Sequence, residues 1–179
     1  MQHVRKHVLV FALALAATTA SAAGIDAGDR AEMAAVLKAS ITPAKALEIA
    51  QSDGSRAFAL GLETAGNGGY YEVSILRNHA KLVLHIDANS GKVLSSGAAH
   101  GEEGQGAEAL VGAKFTFADA IVQAELAGGG PALEASAGGR GEQAHVDVDI
   151  IQGRGARIAH YRVSMQAGKW QVSLIGTQS

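Results

Sequence analysis

Alternating apolar and polar residues over residues 70–96 predict three short antiparallel strands joined by two tight turns. Residues 71–75 and 82–86 place apolar side chains at every second position, so that one face is apolar and the other is solvated. Turns are predicted at residues 78–79 and 88–91, and the glycine of the second turn can adopt a positive φ. This stretch therefore predicts an antiparallel sheet with one buried face.

Two helices and a further strand are predicted before this sheet. Residues 26–39 consist of helix formers, with acidic residues in the first turn and a lysine in the last. Residues 41–50 predict a second helix, because Thr42 is a good N-cap and Pro43 falls at the first helical position. Residues 56–63 predict the first strand of the sheet, which makes it four-stranded.

The pattern then recurs in the second half of the chain. Residues 107–124 align with residues 31–50 over their helical parts, and four further strands are predicted after them. Residues 98–106 are rich in Gly, Ala and Glu without an apolar period, which indicates a linker. We therefore predict two copies of one unit, at residues 24–97 and 107–179.

Residues 87–94 (DANSGKVL), together with the helix at 41–50 and the YEV strand, resemble the PepSY family. This resemblance implies an α+β fold of two cystatin-like half-rolls, each with one or two N-terminal helices packed on a four-stranded antiparallel sheet. In the second copy the Asp and Thr/Ser of the family's turn are missing, and residues 166–169 (QAGK) remain. The family is known from propeptides of thermolysin-like proteases and from small bacterial envelope proteins, which implies roles in inhibiting, chaperoning or regulating proteases.

The first 23 residues have the pattern of a Sec-type signal peptide. Arg5 and Lys6 precede a short apolar run, and small residues follow it. We expect cleavage after Ala22 or Ala23 and a periplasmic or secreted protein. The apolar run is shorter than the roughly 20 residues that span a bilayer, so no stable membrane insertion is expected after cleavage.

Composition excludes several classes of function. The chain has no cysteine, which excludes thiol nucleophiles, zinc–thiolate sites, iron–sulfur clusters and covalently attached haem. It carries a net charge of −2, which becomes about −4 when Arg5 and Lys6 are removed, and this argues against nucleic acid as a partner. The HExxH, GxSxG and Walker motifs do not occur. We therefore expect a protein without enzymatic activity and without a cofactor.

One strand pair carries side chains that could bind a metal. His145, Asp147 and Asp149 recur at strand period and so share one face, and His160 on the next predicted strand can neighbour them. Two imidazoles and two carboxylates suit Zn²⁺ or Cu²⁺. The alternative is an ordinary solvated sheet face, on which Asp147 and Arg162 form a cross-strand ion pair.

Three functions agree with this pattern. The first is a non-enzymatic envelope protein that binds a protein partner, such as a protease that it inhibits or regulates, by accepting an extended segment at a strand edge. The second is a metal- or small-ligand-binding module that uses the His/Asp strand face. The third is a structural role in which the two half-rolls pair into one larger sheet.

Overall fold

The computed structural model describes residues 24–65, 68–101 and 106–179. The predicted signal peptide, residues 1–23, lies outside the described residues, and so do residues 102–105 of the predicted linker. The helices in the described ranges are α1 (Ala27–Lys38), α2 (Pro43–Ala50) and α3 (Phe117–Gly128). The strands are β1 (Arg56–Ala65), β2 (Gly68–Arg77), β3 (Ala80–Asp87), β4 (Val93–Ala98), β5 (Ala132–Gly138), β6 (His145–Gln152), β7 (Arg157–Gln166) and β8 (Lys169–Gln178). Among these helices none is long and apolar enough to cross a membrane.

The helices begin where their capping residues predict. The Thr42 side chain accepts a hydrogen bond from the Lys45 N–H at 3.2 Å, and Pro43 is the first residue of α2. At α3, Thr116 and Asp119 form a reciprocal capping box, in which each side chain accepts from the other residue's backbone N–H. These bonds satisfy N–H groups that have no partner inside the helix.

The strands form one antiparallel sheet in the order β4-β3-β2-β1-β5-β6-β7-β8. The predicted α+β class is confirmed, and each half of the chain contributes four consecutive antiparallel strands, consistent with cystatin-like half-rolls. The halves are joined edge to edge, as β1 pairs with β5. Three residue pairs form this junction: Ala59 with Ser136, Leu60 with Ala135, and Gly61 with Glu134.

The buried apolar residues of both halves form one continuous cluster. α2 packs on β1 and β2, whereas α3 packs on the four strands of the second half and also on β1. Tyr71 is fully buried, and its hydroxyl donates to the Ile41 carbonyl oxygen at 2.7 Å. Burial, with the nearby Glu125 carboxylate, raises the pKa of Tyr71 to about 12, so the phenol stays neutral and keeps its proton for this bond.

Helix α1 lies at the end of the sheet where β1, β6 and β8 finish. It contacts β1, β2 and β5, and its Met33 and Val36 side chains are buried. At its start, the Gln178 side chain donates to the Asp29 carboxylate at 3.2 Å, which ties the last strand to the first helix. α1 therefore contacts strands of both halves.

Among the described residues of the second half, no helix corresponds to α1. Residues 106–112 form turns where the repeat predicts helical structure. Gly106 and Gly112 have φ angles of 76° and 79°, which lie outside the right-handed helical region. The first half therefore contains two α-helices and four strands, and the described residues of the second half contain one α-helix and four strands.

Candidate functional site

The four residues of the predicted metal site lie on the polar face of the second half. Asp149 stands opposite His160, and the His160 Nδ1 is 2.6 Å from the Asp149 Oδ1. Asp147 stands opposite Arg162, whose guanidinium donates to both carboxylate oxygens at 2.7 Å. The ion pair between Asp147 and Arg162, which was predicted as the alternative to a metal site, is therefore formed.

These side chains do not converge as metal ligands would. The His145 Nε2 lies 3.7 Å from the Asp147 Oδ2, but both Asp147 oxygens are already bonded to Arg162. The Asp149 Oδ1 is bonded to His160 in the same way. In the described parts of the chain, no group of three or more His, Asp or Glu side chains is arranged to hold a metal ion.

The polar row continues from the second half into the first. Asp149 stands opposite Glu134, Glu134 opposite Gly61, and Gly61 opposite Glu72. Glu72 in turn stands opposite His85, with 3.2 Å between the Glu72 Oε2 and the His85 Nε2. Each half therefore places one histidine–carboxylate pair on this row, with Gly61 and Glu134 between the two pairs.

The first-half pair includes a hydroxyl group. The His85 Nδ1 lies 2.9 Å from the Ser95 Oγ, and the Tyr70 ring lies against the imidazole, tilted by 41°, with the two ring centres 4.7 Å apart. The chain Ser95–His85–Glu72 has the residue types of a hydrolytic triad. However, Ser95 lies within a strand, in register with His85, and not in a strained turn between a strand and a helix.

A depression of about 440 Å³ lies at the centre of the row, between Glu72 and Glu134. Gly61 leaves room there because it has no side chain. The depression is also lined by Glu63 and by Glu32 of α1. Partial burial raises the pKa of the Glu134 carboxyl, and repulsion from neighbouring carboxylates adds to this rise. The pKa of Glu32 is raised for the same two reasons.

These raised pKa values predict a fold that becomes more stable in mild acid. A carboxyl whose pKa is higher in the folded chain binds protons more tightly there, so the free energy of unfolding increases as pH falls from 7 towards 5. Because the Glu134 side chain is only partly buried and still contacts solvent, screening keeps the gain below about 1 kcal/mol. Urea unfolding at both pH values would measure it, and the Glu134→Gln variant should show a smaller gain. If the variant gains as much stability between pH 7 and pH 5 as the unchanged chain, the gain does not come from Glu134.

The sequence predicted the polar side chains of β6 and β7, but it did not predict that this polar row continues into the first half of the chain. His85 sits at strand period between apolar residues, so its exposure on a sheet face was predictable. Its position in line with His160 was not, because that depends on the pairing of β1 with β5. No sequence signal gives this register.

The turn at residues 88–91 has a structural role. The Asp87 carboxylate accepts hydrogen bonds from the Asn89 and Ser90 N–H groups and from the Ser90 hydroxyl, and these bonds lower the pKa of Asp87. Gly91 has a φ of 72°, and a Cβ there would lie 3.0 Å from the Ile49 side chain of α2. The turn therefore closes against α2, and its Asp, Ser and Gly residues are those that this geometry requires.

A protein family and a solved structure are similar to parts of this chain. Residues 40–96, from the residues before α2 to β4, match the model of the PepSY family, described as "Peptidase propeptide and YPEB domain". A solved structure of a presumed lipoprotein from Clostridium difficile 630 is similar at 18% sequence identity, with a TM-score of 0.41, over 76% of this chain and 94% of that one. Comparison with curated proteins gave no match. Residues 40–96 thus match the PepSY family, which is the family that residues 87–94 resemble.

Proposed function

We propose that this chain is a non-enzymatic protein of the bacterial envelope, or a secreted one, that binds a protease and restrains it. The match of residues 40–96 to the PepSY family carries this proposal, because the family model is that of peptidase propeptides. The signal peptide predicted at residues 1–23 supports export. On the polar face, the Asp149 carboxylate is bonded to His160 and the Asp147 carboxylate to Arg162, so these two carboxylates are not free to bind another ligand.

Edge strand β4 is the surface on which a protease segment would bind. Within the described part of the chain β4 pairs with β3 alone, and all six residues of β4 are exposed. The Ala99 N–H donates to the Lys81 carbonyl oxygen, and hydrogen-bonded pairs alternate along an antiparallel ladder. The N–H groups of Ser96 and Ala98 therefore point away from β3 and can accept an added strand.

Replacement of Ser96 by proline tests this role of β4. Proline removes the outward N–H without breaking the bonds to β3, and strand edges tolerate it. We expect the Ser96→Pro variant to bind and inhibit its protease at least about tenfold more weakly than the unchanged chain, because a main-chain bond is lost and the added strand is displaced. The measurement is residual activity of envelope and secreted proteases, starting with thermolysin-like enzymes, at increasing concentrations of each protein.

The Ser96→Ala variant is the matched control, because it keeps the N–H and should inhibit like the unchanged chain. Equal inhibition by the proline and alanine variants would remove β4 from the interface. If neither the unchanged chain nor any variant slows or retains a protease, the proposed function itself is wrong.

Metal binding at His145, Asp147, Asp149 and His160 remains the alternative function. It requires Asp147 to release Arg162 and Asp149 to release His160, so that the carboxylates can reach a shared cation. No observed contact favours this rearrangement over the ion pairs that are present.

A further inference from the structure

A basic furrow crosses the end of the sheet opposite α1, where the two halves of the chain meet. At its centre is a depression of about 450 Å³. Four basic side chains line it: Arg56 at the start of β1, His79 in the β2–β3 turn, Lys81 in β3 and Arg140 after β5. Ligand sites occur preferentially at such junctions between units.

Among the described residues that line this furrow, basic side chains outnumber acidic ones, whereas the chain as a whole is slightly acidic. The whole sequence has a net charge of −2, but among the described residues Glu108 is the one acidic side chain that lines the central depression. Glu108 bonds to the Arg140 guanidinium at 3.0 Å. Arg56 is exposed and makes no side-chain hydrogen bond or ion pair within the described residues. The furrow therefore already binds one carboxylate and has a further guanidinium available for another.

The furrow continues on both sides of the central depression. A depression on one side shares Arg56, Leu76 and His79 with the centre, and one on the other side shares Lys81, Glu108 and Arg140. Three adjoining depressions thus run from the end of β2 to the loop after β5.

Apolar side chains lie between the charges. Leu76 and Val111 line the central depression, and Val111 is 50% exposed. A segment that carries both carboxylates and apolar side chains would match this lining, because its acids would meet the guanidinium groups and its apolar residues would cover Leu76 and Val111.

We infer that this furrow binds an acidic, partly apolar extended segment of a protein partner. The inference rests on one part of the proposed function, namely that the chain binds a protein partner. It adds a second contact surface, distinct from the main-chain edge of β4, and it gives the chemistry of the partner. Guanidinium–carboxylate contacts would determine which segment binds, and they would weaken as salt concentration rises.

Fluorescence anisotropy with a synthetic peptide tests the inference. The probe is a labelled peptide of about twelve residues in which Glu alternates with Leu or Thr, and the control peptide has Gln in place of each Glu. We expect the full chain to bind the Glu peptide at least tenfold more tightly than the Gln peptide. We expect the Arg56→Gln/Arg140→Gln variant to lose at least tenfold in affinity for the Glu peptide.

The matched control is the Arg30→Gln/Arg154→Gln variant, which loses the same two charges at the α1 end of the sheet. It should bind the Glu peptide within about twofold of the unchanged chain, because those residues are remote from the furrow. Circular dichroism melting of both variants confirms that they are folded, as expected for substitutions of exposed side chains.

Three results would overturn the inference. Equal loss of affinity in the two double variants would mean that peptide binding follows net charge alone. Equal binding of the Glu and Gln peptides would mean that carboxylates are not recognised. Complete displacement of the peptide by millimolar inorganic phosphate would indicate a small-anion site. The peptide-binding experiment contains no protease, so its result does not depend on whether the chain inhibits one.

Discussion

Replacement of Leu60 by alanine is expected to destabilise the whole chain by about 3 kcal/mol, because it removes a large side chain from the core where the halves meet. Leu60 is only 2% exposed and stands between Val73 of β2 and Ala135 of β5. For a chain of this length, the melting temperature should fall by roughly 6–12 °C. The destabilisation should affect both halves, because their buried residues form one cluster.

The single tryptophan makes this prediction specific. Trp170 lies in β8, in the second half of the chain, and its ring contacts Phe115. If the chain unfolds as one unit, the Leu60→Ala variant shifts the tryptophan fluorescence transition as much as the circular dichroism transition. An unshifted fluorescence transition would show that the halves unfold independently. The Leu126→Ala variant is the control, since Leu126 is 74% exposed and its loss should change stability little.

Replacement of Gly130 by alanine is expected to destabilise the fold by about 3 kcal/mol through a backbone collision. A Cβ at this position would lie 1.9 Å from the Ile151 carbonyl oxygen. Ile151 cannot easily move away, because its side chain is buried and its N–H donates to the Pro131 carbonyl oxygen at 3.0 Å. Gly130 thus allows the connection from α3 to β5 to pass against the end of β6. Urea unfolding would measure the loss.

Gly97→Ala is the matched control for this substitution. Gly97 lies in edge strand β4, and a Cβ there would meet no atom within 4 Å. Its replacement should change the free energy of unfolding by less than about 0.5 kcal/mol. Similar losses in the two variants would mean that the close approach at Gly130 is relieved at little cost.

The two proposed contact surfaces make different demands on a partner. β4 offers main-chain hydrogen bonds, which any extended segment can use, so it contributes affinity without selecting a sequence. The furrow offers Arg56, Lys81 and Arg140, which distinguish acidic from neutral segments. A partner that used both surfaces would present an unpaired strand and a nearby acidic stretch. If one partner uses both surfaces, the variant that combines Ser96→Pro with Arg56→Gln should bind it more weakly than either single variant.

Local structure could be predicted from the sequence of this chain. Period-two alternation placed β2, β3 and β6, and Thr42 and Thr116 placed the starts of α2 and α3. These features depend on residues close together in the chain, so their causes are visible in the sequence itself. The same holds for the cross-strand pair of Asp147 and Arg162, which lie on neighbouring strands of one hairpin.

The pairing of β1 with β5 was decided by the tertiary structure alone. Leu60 and Ala135 are far apart in sequence, and their register depends on how the apolar faces of the two halves merge into one core. That single junction aligns His85 with His160 along one row of the sheet and brings Arg56 to the same furrow as Arg140. The sequence thus determined the two half-rolls and their polar faces. Packing between them determined which charged side chains share a site, because electrostatic contacts follow distance in space and not distance along the chain.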